Sequence, residues 1–134
     1  MAVLVDSNVI LDVVTEDPKW FSWSSRALGE CAEREPLLID PIIYAEVSIG
    51  FEKIEEVEAA LPAGWFHRAP LPWEAAFLAG KCFREYRRRG GKKGSPPPDF
   101  YIGAHAAVGG MRLLTRDAAR YRTYFPKVPL IAPD

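Results

Sequence analysis

Five short apolar runs punctuate the chain: AVLV at 2–5, LLID at 37–40, WFHRA at 65–69, MRLLT at 111–115 and VPLIA at 128–132. Each has the length of a strand, and the segments between them are long enough for one or two helices. A crossover of a dozen or more residues brings the chain back to the same end of a sheet, so strands spaced this way join as parallel neighbours. The pattern predicts an α/β fold, a central, mostly parallel sheet flanked by helices. At 134 residues it predicts a single domain, 1–134. In such sheets ligands gather at the carboxyl ends of the strands.

Punctuation residues set the helix limits. Asp6 or Ser7 can cap a helix over about 8–15, which ends at Asp17-Pro18, and Trp20 to Arg34 reads as a second helix. Asp40-Pro41 is a cap followed by a first-turn proline, opening a helix to about Phe51; Glu52 to Leu61 continues helically to Pro62. Pro72 opens a long helix through about Arg89, with Trp73, Ala76, Phe77, Gly80 and Phe83 expected on one core-facing stripe. GGKKGSPPP at 90–98 is a loop; Pro98 then opens a helix that Gly109-Gly110 ends, and Ala118 to Tyr124 forms a short one.

Hydrophobic residues make up 49% and the net charge is −1, which argues against disorder and against a strongly basic nucleic-acid coat. Cys31 and Cys82 lack metal-site spacing and read as two buried thiols of a reducing compartment. Neither a signal-peptide pattern nor an apolar run of ~20 residues is seen, so a cytoplasmic address and no membrane contact are expected.

Four carboxylates stand out by position. Asp6 closes the first strand, Asp117 lies just past LLT, and Asp99 sits in the first turn of a helix behind three prolines. Glu46 lies inside a helix whose residues three and four positions away are Ile42, Ile43, Ile49 and Gly50. Taken singly, Asp6, Asp99 and Asp117 could be helix caps, and Glu46 could pair with a buried base. Taken together, they would meet at one edge of the sheet and repel. A hard divalent cation resolves this, since Mg²⁺ takes oxygen ligands and bridges to substrate phosphate. Acids that need a metal, in a cleft, suit phosphodiester cleavage.

VDSNVILD at the start, the isolated Glu46 in IIYAEVSIG, PDFYIGAHA at 98–106 and LLTRDAARYRTYFP at 113–126 together resemble the PIN-domain nucleases, in particular the VapC-like toxins of bacterial toxin–antitoxin pairs. The resemblance spans essentially the whole chain, and its four motifs occur in the family's order; residues 51–94 carry none. It implies a compact α/β/α domain in which Asp6, Glu46, Asp99 and Asp117 match the acidic quartet and hold one or two Mg²⁺ or Mn²⁺ ions. Asn8 would match an amide just behind the acids, and Thr115 a hydroxyl that orients the last acid. It further implies a metal-dependent endoribonuclease, a cognate antitoxin that blocks the site, and a homodimer. Hydrolysis would leave a 5′ phosphate, with no need of a histidine base; His67 and His105 read as structural or surface residues.

Two segments lie outside these motifs. Within REYRRRGGKK (84–93) six of ten residues are Arg or Lys. They can be a solvated helix end, or a phosphate track in which Lys81, Arg84, Arg87, Arg88 and Arg89 guide RNA to the acids. WFSW, with Trp20, Phe21 and Trp23, can pack in the core or dock a partner, either the antitoxin or a second copy. Competing functions fit less well. A phosphatase that phosphorylates its own aspartate wants a second Asp where Asn8 stands, and a receiver domain would have to use Asp40, which reads as a cap. An RNA-binding module with an inert site has no reason to keep four acids. A PIN-fold RNA-processing nuclease without a toxin role remains an alternative.

Overall fold

The structure is a computed structural model that describes residues 1–133. Val3–Val5 (β1) is the centre of a five-stranded sheet with Leu37–Ile39 (β2), Phe66–Arg68 (β3), Arg112–Leu114 (β4) and Leu130–Ile131 (β5), ordered β3-β2-β1-β4-β5. Every neighbouring pair is parallel. Val3, Leu4 and Val5 are all fully buried, as a central strand covered on both faces requires, which is why AVLV shows no alternation. The chain builds outward from β1 through β2 to β3, then returns to place β4 on the other side of β1. The strand order therefore reverses between β1 and β4, and a crevice opens at the carboxyl ends of those two strands.

Among the described residues seven helices connect the strands: α1 (Ser7–Val14), α2 (Phe21–Arg34), α3 (Pro41–Ser48), α4 (Ile54–Ala60), α5 (Trp73–Arg88), α6 (Pro98–Gly109) and α7 (Ala119–Tyr124). α1 packs on α2 and α3, and α3 on α4, while α5 packs on α6 and α6 on α7, two layers of the kind that right-handed crossovers make when the strand order reverses. The second of these layers is held by Phe83, Tyr86, Phe100, Tyr124 and Phe125, whose ring centroids lie between 5.3 and 6.3 Å apart. Gly103 lets α6 approach this cluster: a Cβ there would come within 2.4 Å of the Phe125 ring. Gly110 ends α6 in the left-handed region at φ 64°, as a helix-terminating glycine does.

The predicted elements all appear, with ends shifted by a few residues at most. The stripe on α5 is different. Trp73 is 88% and Phe77 68% exposed, and the core-facing side is Ala75, Ala79 and Phe83. At roughly 100° per residue, Ala75 and Phe83 fall about 40° to either side of Ala79, whereas Trp73 and Phe77 lie about 120° and 160° away from it, outside the buried stripe. The Cys31 thiol is buried as expected, whereas Cys82 is only half-buried; both are free. No helix of the described residues is long and apolar enough to cross a membrane.

Candidate active site

Asp6 follows β1 and Asp117 follows β4, one on each side of the crevice where the strand order reverses. Glu46 reaches the same place from α3 and Asp99 from the first turn of α6. All four line one cavity of about 330 Å³, with Ser7, Asn8, Lys93 and Arg120 also on its wall. The capping alternative fails in detail. Asp6 stands at the N-cap of α1 yet makes no capping hydrogen bond, and the cap of α7 is Ala118, not Asp117. Asp40 is a true cap, accepting the Ile43 N–H at 2.9 Å.

Asp6 is the most deeply set of the four. Its Oδ2 accepts from Tyr121 O–H at 2.8 Å, Thr115 Oγ–H at 2.9 Å and Asn8 Nδ2 at 3.4 Å. All three go to one oxygen, which leaves Oδ1 free of them. Burial nevertheless wins: it pushes the Asp6 carboxyl above the ordinary range, against the pull of Tyr121 and Thr115 and with the help of nearby Asp99. Burial, with Asp6 beside it, also drives the Tyr121 phenol well up, so it remains an O–H donor. Thr115 was expected to orient the last acid. Its Oγ takes the backbone N–H of Asp117 at 3.1 Å and the Asn8 amide at 3.2 Å, so one hydroxyl links both strand ends.

Glu46 is half-buried, between fully buried Ile43 and a surface Ile49 that is 86% exposed. Ser7 Oγ–H donates to its Oε1 at 2.8 Å. Burial raises its carboxyl too, and Asp6, Asp99 and Asp40 add to the rise. Asp99 has a different partner: Arg120 Nη1 donates to both of its oxygens at 3.1 Å. The Arg120 guanidinium lies over the Tyr86 and Phe100 rings, 5.2 and 5.3 Å from their centroids.

A second layer holds these elements together. His105 Nδ1–H donates to Asp40 Oδ2 at 2.8 Å inside the core, tying α6 to the start of α3. Arg116 Nε donates to buried Asp12 at 2.8 Å, Ser24 Oγ–H meets the same oxygen at 2.7 Å, and the guanidinium covers Trp20 at 5.6 Å. This network anchors the loop that carries Asp117 to α1 and α2.

Ser7, Tyr121, Arg120 and Lys93 were not singled out from the sequence. Arg120 and Tyr121 do lie three and four positions after Asp117, within the quoted LLTRDAARYRTYFP. The basic face of α5 is exposed, but Arg84, Arg87 and Arg88 line a separate hollow beside Gly80. Lys81 rests over Phe77 at 5.2 Å, and Arg89 binds Glu85 at 3.3 Å. Lys93 is the residue of that segment on the acid cavity. In WFSW, Trp20 and Trp23 are half-buried and meet edge-to-face at 6.4 Å, while Phe21 is exposed.

The wall chemistry fits a hard divalent cation. The donors are oxygens, Oδ1 of Asp6 lies clear of the side-chain donors to Oδ2, and buried like charges are costly without a counter-ion. Among the described residues no group of three or more acidic, histidine or cysteine side chains is placed to hold a metal ion by itself. An open site with one or two carboxylates per ion is what Mg²⁺ uses. Arg120 now neutralises Asp99 and would have to release it.

The PIN domain family model matches residues 3–126. No curated protein matches the chain. Among solved structures, a chain of VapBC2 from Rickettsia felis bound to a DNA fragment from their promoter is 19% identical, covers 100% of both chains and superposes with a TM-score of 0.75. A chain of VapBC-1 from nontypeable Haemophilus influenzae is 18% identical over 98% of each chain, with a TM-score of 0.74. A chain of a toxin-antitoxin complex from Klebsiella pneumoniae is 22% identical over 99% of this chain and 98% of that one, with a TM-score of 0.68.

Proposed function

The chain belongs to the PIN-domain family, and on that basis we propose that it is a divalent-metal-dependent endoribonuclease and the toxin of a toxin–antitoxin pair. One observation carries the nuclease reading: Asp6, Glu46, Asp99 and Asp117, from four separate segments, line one cavity at the point where the strand order reverses. The fold likeness to chains from VapBC and toxin–antitoxin complexes supports the toxin role.

Asp6, Glu46, Asp99 and Asp117 would together hold one or two divalent ions. Bound there, Mg²⁺ or Mn²⁺ would activate water as a nucleophile and neutralise charge on the phosphodiester. The chain's own groups do the positioning. Tyr121, Thr115 and Asn8 hold one oxygen of Asp6 and leave the other clear of side-chain donors. Ser7 aims Glu46. Lys93 and Arg120 supply positive charge to an otherwise acidic wall, so that a phosphate can enter. The exposed arginines of α5 and of its C-terminal end extend that charge outward: Arg84, Arg87, Arg88 and Arg89, with Lys81, would steer RNA from a distance.

The antitoxin would cover the acid cavity. WFSW offers it one seat; an apolar groove of about 780 Å³ between α3, α4 and the β3 edge, near Tyr44 and Ile54, offers another. A homodimer fits the same reading. Exposed Trp73 and Phe77 are surface that a second copy could cover.

Induced expression in a bacterial host tests the proposal as a whole. Wild type should halt growth and fragment a stable RNA, Asp99→Asn should do neither, and co-expression of a small neighbouring gene should restore growth. Equal arrest by Asp99→Asn would overturn it.

A further inference from the structure

Beside the acid cavity lies a second one of about 530 Å³, and the two share Asp99, Asp117 and Arg120. The far wall of the second is aromatic: Tyr86 from α5 and Tyr124 from the end of α7, with exposed Thr123 on the rim. Hydrolysis at the acids needs none of this room. Both tyrosines are half-buried, and Phe100 fixes their rings from behind at 5.6 and 5.3 Å. Rings held this way meet a ligand at small entropic cost. Positive charge stands at one edge, where Arg120 lies over Tyr86 at the junction of the cavities.

The size falls in the range of small-ligand pockets. Its chemistry narrows the class. A purely apolar ligand gains nothing from a guanidinium group, and a metal ion gains nothing from two tyrosines. A nucleotide uses both, because its base stacks on an aromatic ring and its phosphate meets a guanidinium. We infer that the Tyr86–Tyr124 pocket is the subsite for the base next to the scissile phosphate, and that Arg120 moves off Asp99 to hold the phosphate between the two cavities. The inference rests on the RNA reading of the acid cavity and adds to it: the pocket selects the base that flanks the cut.

The test uses oligouridine eight nucleotides long, with one 2-aminopurine placed at successive positions. It is bound to Asp6→Asn protein in Mg²⁺, so that nothing is cut. Stacking on a tyrosine quenches the fluorophore at one position along the strand. Thr123→Trp fills the pocket from an exposed helix position. It should abolish that quench and weaken binding about tenfold, with the thermal midpoint unchanged. Thr123→Ser should keep both, and Tyr124→Ala should lose the quench. In the active background, Thr123→Trp should change which bases flank the cut. No quench at any position, or a quench and cut pattern unchanged by Thr123→Trp, overturns the subsite. A position-specific quench in a protein whose wild type cuts no RNA would keep the subsite and overturn the nuclease reading.

Discussion

Asp6 is a carboxylate where water has little access, held by three donors on one oxygen. Burial raises its carboxyl, and that of Glu46, above the ordinary range near 4. The sign of the consequence follows from linkage. A raised pKa in the folded state favours folding when the group is protonated. The metal-free protein therefore gains stability as pH falls toward the ordinary range, and loses it as pH rises through the raised values. Melting in EDTA between pH 8 and 5 should show this rise, and Asp6→Asn should flatten it and be the more stable form at pH 8. Divalent-ion affinity should run the other way. It should weaken on acidification while still above pH 4, because protons compete for the same oxygens. A Mn²⁺ titration at several pH values checks it. Three of the acids stood out in the sequence by breaking a local rule, Asp6 and Asp117 by following apolar strands and Glu46 by interrupting an apolar helical face, whereas Asp99 stood out only by opening a helix behind three prolines. Their partners did not stand out. Ser7 meets Glu46 across 39 residues, and Tyr121 meets Asp6 across 115. No local pattern distinguishes a tyrosine that packs from one that also donates to a carboxylate.

Helices and loops carry these residues, and buried polar links fix how the elements meet. His105 to Asp40 is one link, between α6 and α3. His105→Ala should cost about 2 kcal/mol, the usual penalty for a buried polar partner left unpaired, read as a fall in denaturation midpoint. Arg116 to Asp12 is another. Removing Arg116 strands a carboxylate that is 3% exposed, whereas removing Asp12 leaves an arginine that is 31% exposed and can turn to water. Arg116→Ala should therefore destabilise by about 3 kcal/mol, more than Asp12→Ala, and the double variant by less than the sum. Caps and prolines made the element order readable; Asp40-Pro41 caps α3 as its sequence says. The α5 stripe shows the limit. Trp73 and Phe77 are apolar by composition but lie away from the helix face that meets α6. Hydrophobicity alone cannot say which apolar face a two-sided helix buries.

At the scale of the molecule, a net charge of −1 hides local clusters of each sign. Four acids line one crevice, while Arg84, Arg87 and Arg88 line a hollow on α5. Lys93 stands on the acid cavity and Arg88 does not. Lys93→Glu should therefore raise KM for RNA several-fold and flatten its salt dependence, with Arg88→Glu the weaker of the two; RNA binding across a salt series reads this directly. The parallel sheet was legible because helices separate every strand. The order β3-β2-β1-β4-β5 was not, since nothing local says on which side of β1 the returning chain lands. That order is what brings Asp6 and Asp117 together. The most direct test of the acid site is incubation of purified protein with a pool of structured cellular RNAs, with Mn²⁺ or Mg²⁺ and with EDTA, beside Asp6→Asn. Discrete fragments that need the metal, and that fall by about 10²-fold or more in the variant, are the predicted result. Fragments made equally well in EDTA, or by Asp6→Asn, would contradict the assignment of these acids to catalysis.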